Sequence, residues 1–191
     1  MKRSALLLTM LMLPLAACNQ QQSTQESAAK TGEVSLTNAS PAEVAKQAQA
    51  AGTAHFQPGE WETTVDVTEM ELPGMPPAMQ EQMKKSMMSA SKVVKSCMTP
   101  EQAAKPQAGV LTGKNDSRCT YKNFTMANGK IDASMTCAGE GNAQLTQTIS
   151  GSYTATSFAL ASSVDATGGP GGGMKMKART NGRRIGECKA S

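Results

Sequence analysis

One histidine in 191 residues removes most imidazole chemistry at the outset. Six aromatic residues are too few for a stacking platform that would hold single-stranded nucleic acid. Ile, Leu, Val and Phe number 25, and six of these are leucines between Leu6 and Leu15. Without residues 1–17 the count falls to 19 among 174. So small a fraction predicts either disorder or a core that needs covalent help. The net charge of +4 is too low to hold the chain open by self-repulsion. Neither a CxxC pair nor a Cys/His spacing suited to zinc occurs. No Gly-rich phosphate loop occurs either. Gly168-Gly169-Pro170-Gly171-Gly172-Gly173 lacks a Lys-Ser ending and a following helix.

What is present begins with an address. Lys2 and Arg3 precede an apolar stretch from Ser4 to Pro14, too short for the roughly 20 residues that span a bilayer. It has the form of a secretory signal core. Leu15-Ala16-Ala17-Cys18 follows and resembles the lipobox of bacterial lipoproteins. That resemblance implies acylation of Cys18, loss of residues 1–17 and a stable lipid anchor. Asn19 is not the aspartate that favours inner-membrane retention, so the expected location is the outer membrane, periplasmic face. Loss of Lys2 and Arg3 leaves 17 basic against 15 acidic residues, so the basicity says little about partners.

Residues 18–53 read as a lipid-anchored tether. The stretch 19–39 is rich in Gln, Ser, Thr and Ala, and its 21 residues would reach about 25 Å r.m.s.. Ser40-Pro41-Ala42-Glu43 carries a capping box and predicts a short helix to Ala51, stopped by Gly52. Its apolar content is mostly alanine, which does not require docking.

Residues 54–191 read as a β domain. Trp61, Thr63, Val65 and Val67 alternate with polar residues. Asn128-Gly129 predicts a tight hairpin between Tyr121–Met126 and Lys130–Cys137. Leu145, Gln147 and Ile149 suggest another strand, as do Phe158 to Val164 and Met174 to Ala178. The expected fold is mainly β: about six antiparallel strands in a curled or barrel-like sheet. One amphipathic Met-rich helix is expected to lie on it, with Met79, Met83 and Met87 at spacing four and Met75 nearby. Thr99-Pro100-Glu101-Gln102 predicts a further short helix.

Charge is segregated. Glu60, Glu62, Asp66, Glu69 and Glu71 fall in one stretch, and Lys175, Lys177, Arg179, Arg183, Arg184 and Lys189 in another. Two readings are open: neighbouring strands with complementary outer faces, or a basic patch for acidic headgroups.

Cys97, Cys119, Cys137 and Cys188 form an even set, for which an oxidising compartment makes disulfides the default. A two-residue turn at Asn128-Gly129 sets Cys119 opposite Ala138, with Cys137 on the other face. The expected pairs are therefore Cys97–Cys119 and Cys137–Cys188, unless a bulge shifts the register.

Four features together resemble the uncharacterised secreted bacterial proteins catalogued as domain of unknown function 3617. They are Pro58-Gly59-Glu60-Trp61-Glu62, the Met/Pro segment from Leu72 to Met88, Cys97-Met98-Thr99-Pro100-Glu101, and Gly182-Arg183-Arg184-Ile185-Gly186-Glu187-Cys188. The resemblance implies domain limits and compartment and names no catalytic residue.

No enzymatic constellation stands out. His55 falls at the boundary of tether and domain, and Glu60 and Glu62 are expected to face solvent. The expected role is a non-catalytic binding or accessory module without a cofactor. Its ligand site would be an adaptable apolar surface lined by Met75, Met79, Met83 and Met87. One alternative is Cu(I) held by the thioethers of Met79, Met83 and Met87. The other is a structural envelope protein acting through a protein partner. The membrane, through Cys18, is the remaining expected partner.

Overall fold

A computed structural model describes residues 27–52, 56–88, 92–104, 117–168 and 172–188. Cys18 and His55 lie outside the described residues, as do the proposed leader and tether residues 19–26 and 53. Among the described residues, eight strands form one antiparallel sheet in the order β1-β4-β5-β6-β7-β8-β2-β3. They are β1 (Val34–Ala39), β2 (Gly59–Glu71), β3 (Lys92–Met98), β4 (Cys119–Ala127), β5 (Lys130–Ala138), β6 (Gln144–Tyr153), β7 (Ser157–Thr167) and β8 (Met174–Gly186). Helices α1 (Pro41–Ala51), α2 (Pro77–Met88) and α3 (Pro100–Ala104) accompany them, and residues 27–31 are also helical.

The sheet is curled and not closed. Ser96 and Met98 of β3 line one cavity with Gln147 and Ile149 of β6. Four strand steps separate β6 from β3, about 19 Å in a flat sheet, so the sheet wraps to bring them together. β1 and β3 remain its two edges.

The alternation in the sequence sets the faces. Trp61, Thr63, Val65 and Val67 share the concave side with Leu145, Gln147 and Ile149, with Phe158, Leu160 and Ser162, and with Met174, Met176 and Ala178. A bulge between Val67 and Glu69 then restores Met70 to that side, opposite Met176. Asn128 (φ 52°) and Gly129 (φ 70°) both take the left-handed conformation that the tight hairpin turn requires.

Two strands exceed the expected six. β1 falls inside the stretch expected to be tether. Its signal is only Val34 and Leu36, and the left-handed Asn38 (φ 52°) breaks the alternation. Ala39 is thereby brought to the buried side, opposite Tyr121. β3 was masked by the reverse problem: Val93 and Val94 are adjacent and both exposed, so no period of two is visible.

α1 forms as its capping box predicts, with Ser40 at the cap and Gly52 in the left-handed stop. It nevertheless docks on β1 and β4. Val44 is fully buried, with Ala48 and Gln47 close behind. Alanines permit close approach of the helix backbone, so one valine suffices as the anchor. The sheet and core therefore begin ahead of residue 54, with Val34, Ala39 and Val44 joined to Tyr121, Phe124, Met126 and Ile131 in one cluster.

α2 departs from expectation. It buries none of its residues and touches the sheet at β2. A stripe at spacing four specifies a helix face; it does not specify that a surface lies opposite.

The disulfide pairing is corrected to Cys97–Cys188 and Cys119–Cys137. β4 carries a bulge at Lys122, between Tyr121 (opposite Met135) and Asn123 (opposite Ser134). That extra residue shifts the register by one and sets Cys119 directly against Cys137, with Cα atoms 3.9 Å apart. Cys97 and Cys188 then meet across β2, whose Glu60 pairs with Cys97 on one side and Gly186 on the other.

Candidate functional site

Three of the four sequence features meet at one end of the sheet. Pro58–Glu62 opens β2, Cys97 and Met98 close β3, and Gly182–Cys188 closes β8. The Arg184 guanidinium donates from Nε to the Pro58 carbonyl at 2.6 Å and also reaches the Glu187 carboxylate. Gly59 (φ 138°) leaves the space that this arginine needs: a Cβ there would meet the Gly186 carbonyl and the Arg184 side chain. The Cys97–Cys188 bridge fastens the same corner.

The complementary-strand reading of the charges holds. β2 and β8 are neighbours. Arg183 donates from Nε and Nη2 to Glu62 Oε1 at 3.1 and 2.7 Å, and Lys177 sits 2.8 Å from Glu69. The hydrogen bond from Arg183 is the main reason the Glu62 carboxyl is held below its ordinary value of 4.5; desolvation opposes it as the next largest effect, and the charges of Arg183 and Lys95 add to the lowering. A carboxyl depressed on folding stabilises the fold above its unfolded pKa and loses that contribution as pH falls through the folded one. Glu62→Gln should therefore lower stability slightly at neutral pH and flatten the acid limb below about pH 4.5, read by urea midpoints from pH 3 to 7. An unchanged acid limb would contradict the linkage.

This corner floors a cavity of about 310 Å³ on the concave side. Trp61 is buried at its base and donates from Nε1 to the Gln57 carbonyl at 3.0 Å. Phe158 stacks on Trp61 with ring centroids 6.1 Å apart, and Phe56 closes edge-on at 5.2 Å. Gly182 makes the stack possible. It lies opposite Phe158, and a Cβ at this position would run into the Phe158 ring. Gly182→Ala should thus displace the ring and destabilise by about 1–3 kcal/mol. Near-ultraviolet circular dichroism should lose its Trp61 signal; a retained signal would place the ring elsewhere.

Along β7 one row of side chains runs from Phe158 through Leu160, Ser162 and Val164 to Ala166. At its far end lies a second cavity of about 480 Å³, lined by Arg118, Cys137, Leu145, Ala166, Gly173 and Met174 among others. The concave face is thus divided. α1 fills the part over β1 and β4, while aliphatic side chains on β6, β7, β8 and β2 remain only half-buried.

The expected methionines stand apart from the lower cavity. α2 carries Met79, Met83 and Met87, with Met79 and Met87 exposed. Among the described residues, the exposed large apolar side chains are Met79, Met87, Met88, Val93 and Val94, all on the arm formed by α2 and β3. The base of that arm reaches the upper cavity, because Gly74 packs against Gly172, next to Gly173. No group of three His, Cys, Asp or Glu side chains is placed to hold a metal ion among the described residues. No described helix is long and apolar enough to cross a membrane. The cavity residues Gln147, Ile149, Leu160 and Ser162 escaped sequence reasoning as a site, although their strands were legible. Only the curl brings them opposite β3.

The fold and site define a disulfide-stapled, open antiparallel sheet with an apolar trough on its concave face. A family model described as a protein of unknown function, DUF3617, matches residues 56–188, and the chain belongs to that family. No curated protein and no solved structure matches the chain. β1 and α1 lie ahead of the matched region.

Proposed function

We propose that this chain is a non-catalytic binding module of the bacterial envelope, held at the periplasmic face of the outer membrane by acylated Cys18. Its ligand is apolar and enters the open half of the concave face. The carrying observation is the cavity lined by Trp61, Phe158, Ile149, Leu160 and Met98, with uncharged polar side chains such as Thr63 and Gln147 between them, which is within the volume range of small-molecule sites. Met75, Met79, Met83 and Met87 serve as an adaptable apolar surface at the upper mouth, where the arm is rooted.

Trp61 is the sole tryptophan, which makes the test direct. Phenylnaphthylamine, a neutral apolar dye, should accept energy from Trp61 in the full chain, saturably and at one site. Ser162→Phe, which fills the trough without burying a new polar group, should weaken binding at least tenfold. Met79→Asp or Met83→Asp should weaken entry at the mouth. No saturable transfer in the native chain would overturn the proposal.

A second reading draws on the exposure of the α2 methionines, which leaves three thioethers accessible on one helix. Replacing Met79, Met83 and Met87 together by Leu keeps the apolar surface and removes the soft ligands. Loss of Cu(I) binding with dye binding intact would favour copper.

A further inference from the structure

We infer that the lower cavity takes a compact, uncharged molecule with an apolar body and a head that both donates and accepts hydrogen bonds, as an amide does. This rests on the proposed apolar site and adds a head to its ligand. Three features carry it.

The first is where the polar residues fall. Along Trp61–Val67, Leu145–Ile149, Phe158–Ala166 and Met174–Gly182 the inward-facing polar side chains are Thr63, Gln147, Ser162 and Thr180. All of them line the cavity of about 310 Å³, and Ser96 joins them. The other inward positions of those stretches carry apolar side chains or glycine. A leucine-poor sheet that merely tolerated polar residues would scatter them along its length. Here they converge, one from each of β2, β3, β6, β7 and β8.

The second is that these groups are available. Among the described residues, none of the side chains of Thr63, Ser96, Gln147, Ser162 and Thr180 takes a hydrogen-bond partner, and none of their polar atoms is sealed from water. A ligand that displaces that water must replace its hydrogen bonds or lose affinity. A plain hydrocarbon cannot replace them. The Gln147 amide offers a donor and an acceptor together, and the hydroxyls rotate to do either. A head that does both is the matching one.

The third is charge and size. Among the described residues no charged side chain lines this cavity. An ion placed there would lose water without gaining a counter-charge. The volume lies at the lower end of the range for small-molecule sites, which suits a body of about one or two rings. Phe158, Leu160, Ile149 and Met98 supply the apolar wall for that body.

The full chain, kept in solution with amphipol, is titrated calorimetrically with compounds that share one naphthalene body. Dimethylaminonaphthalene has no head. Dansylamide adds a neutral sulfonamide, which donates and accepts. Dansylate carries a sulfonate, a charged head of nearly the same shape. Dansylamide should bind at one site, about tenfold more tightly than the headless body, the worth of one or two neutral hydrogen bonds. Dansylate should bind about tenfold more weakly than dansylamide, or not at all. Gln147→Leu and Thr180→Val each remove hydrogen-bonding atoms with little change of shape, and together they should erase the advantage of dansylamide over the headless body. Thr180→Ser, which keeps the hydroxyl, should retain it. Equal binding of dansylamide and the headless body in the native chain would overturn the hydrogen-bonding head. Tightest binding of dansylate would overturn its neutrality. An advantage that survives Gln147→Leu/Thr180→Val would place the head outside this cavity and overturn the assignment. Failure of all three compounds to bind while phenylnaphthylamine still does would overturn the head and leave the apolar site standing. Failure of the dye as well would remove both.

Discussion

Removing the Cys97–Cys188 bridge by the double change Cys97→Ala/Cys188→Ala should lower the unfolding free energy by about 4–5 kcal/mol. The bridge spans 91 residues, and the chain-entropy relation gives about 4.6 kcal/mol for a loop of that length. The equivalent change Cys119→Ala/Cys137→Ala opens a loop of only 18 residues and should cost about 3 kcal/mol. Urea unfolding without reductant measures both. The ordering is the informative part. The alternative pairing, Cys97–Cys119 with Cys137–Cys188, shares no bridge with the observed one, so each double change would then break both bridges and the two losses would be equal. Non-reducing peptide mapping separates the cases independently. For a chain with so few branched aliphatics, a loss of this size approaches the whole stability of a small domain.

The second large effect is expected at a residue ahead of the family match. Val44→Asp should destabilise by about 3–5 kcal/mol, because α1 offers Val44 no water and an unpaired carboxylate there must be buried or the helix must undock. Lys46→Ala, on the exposed side of the same helix, should stay within about 0.5 kcal/mol. Equal and small effects of the two would mean that α1 is no part of the cooperative unit. A large effect of Val44→Asp alone establishes that the sheet requires β1 and α1 to cover β4. Those elements occupy the half of the concave face that the trough does not, so their loss should also enlarge the exposed apolar area and promote aggregation.

Much of this fold was legible because period-two alternation maps directly onto the two faces of a strand. Trp61 to Val67, Leu145 to Ile149 and Phe158 to Val164 all face as their spacing predicts. The Asn128-Gly129 turn and the caps at Ser40 and Thr99 were equally legible, since each depends on atoms within four residues. The opposed charges of β2 and β8 offered their pairing as one of two readings, and the register shows that pairing.

Other features lay beyond that reach. The bulge at Lys122 has no local signature, yet it alone decides which cysteines meet. Docking of α1 turns on a single valine finding a groove made by β1 and β4. The trough itself exists only because the sheet curls, bringing Met98 and Ser96 across from Ile149 and Gln147. The sequence by itself determined six of the eight strands, their faces, the turns, the family and the number of bridges, because these follow from short-range stereochemistry and side-chain order. The tertiary structure decided the register at the bulge, the cysteine partners, the burial of α1, the exposure of α2 and the site. Each of these depends on contacts between residues far apart in the chain, where one extra residue or a few degrees of twist per strand changes which side chains face each other.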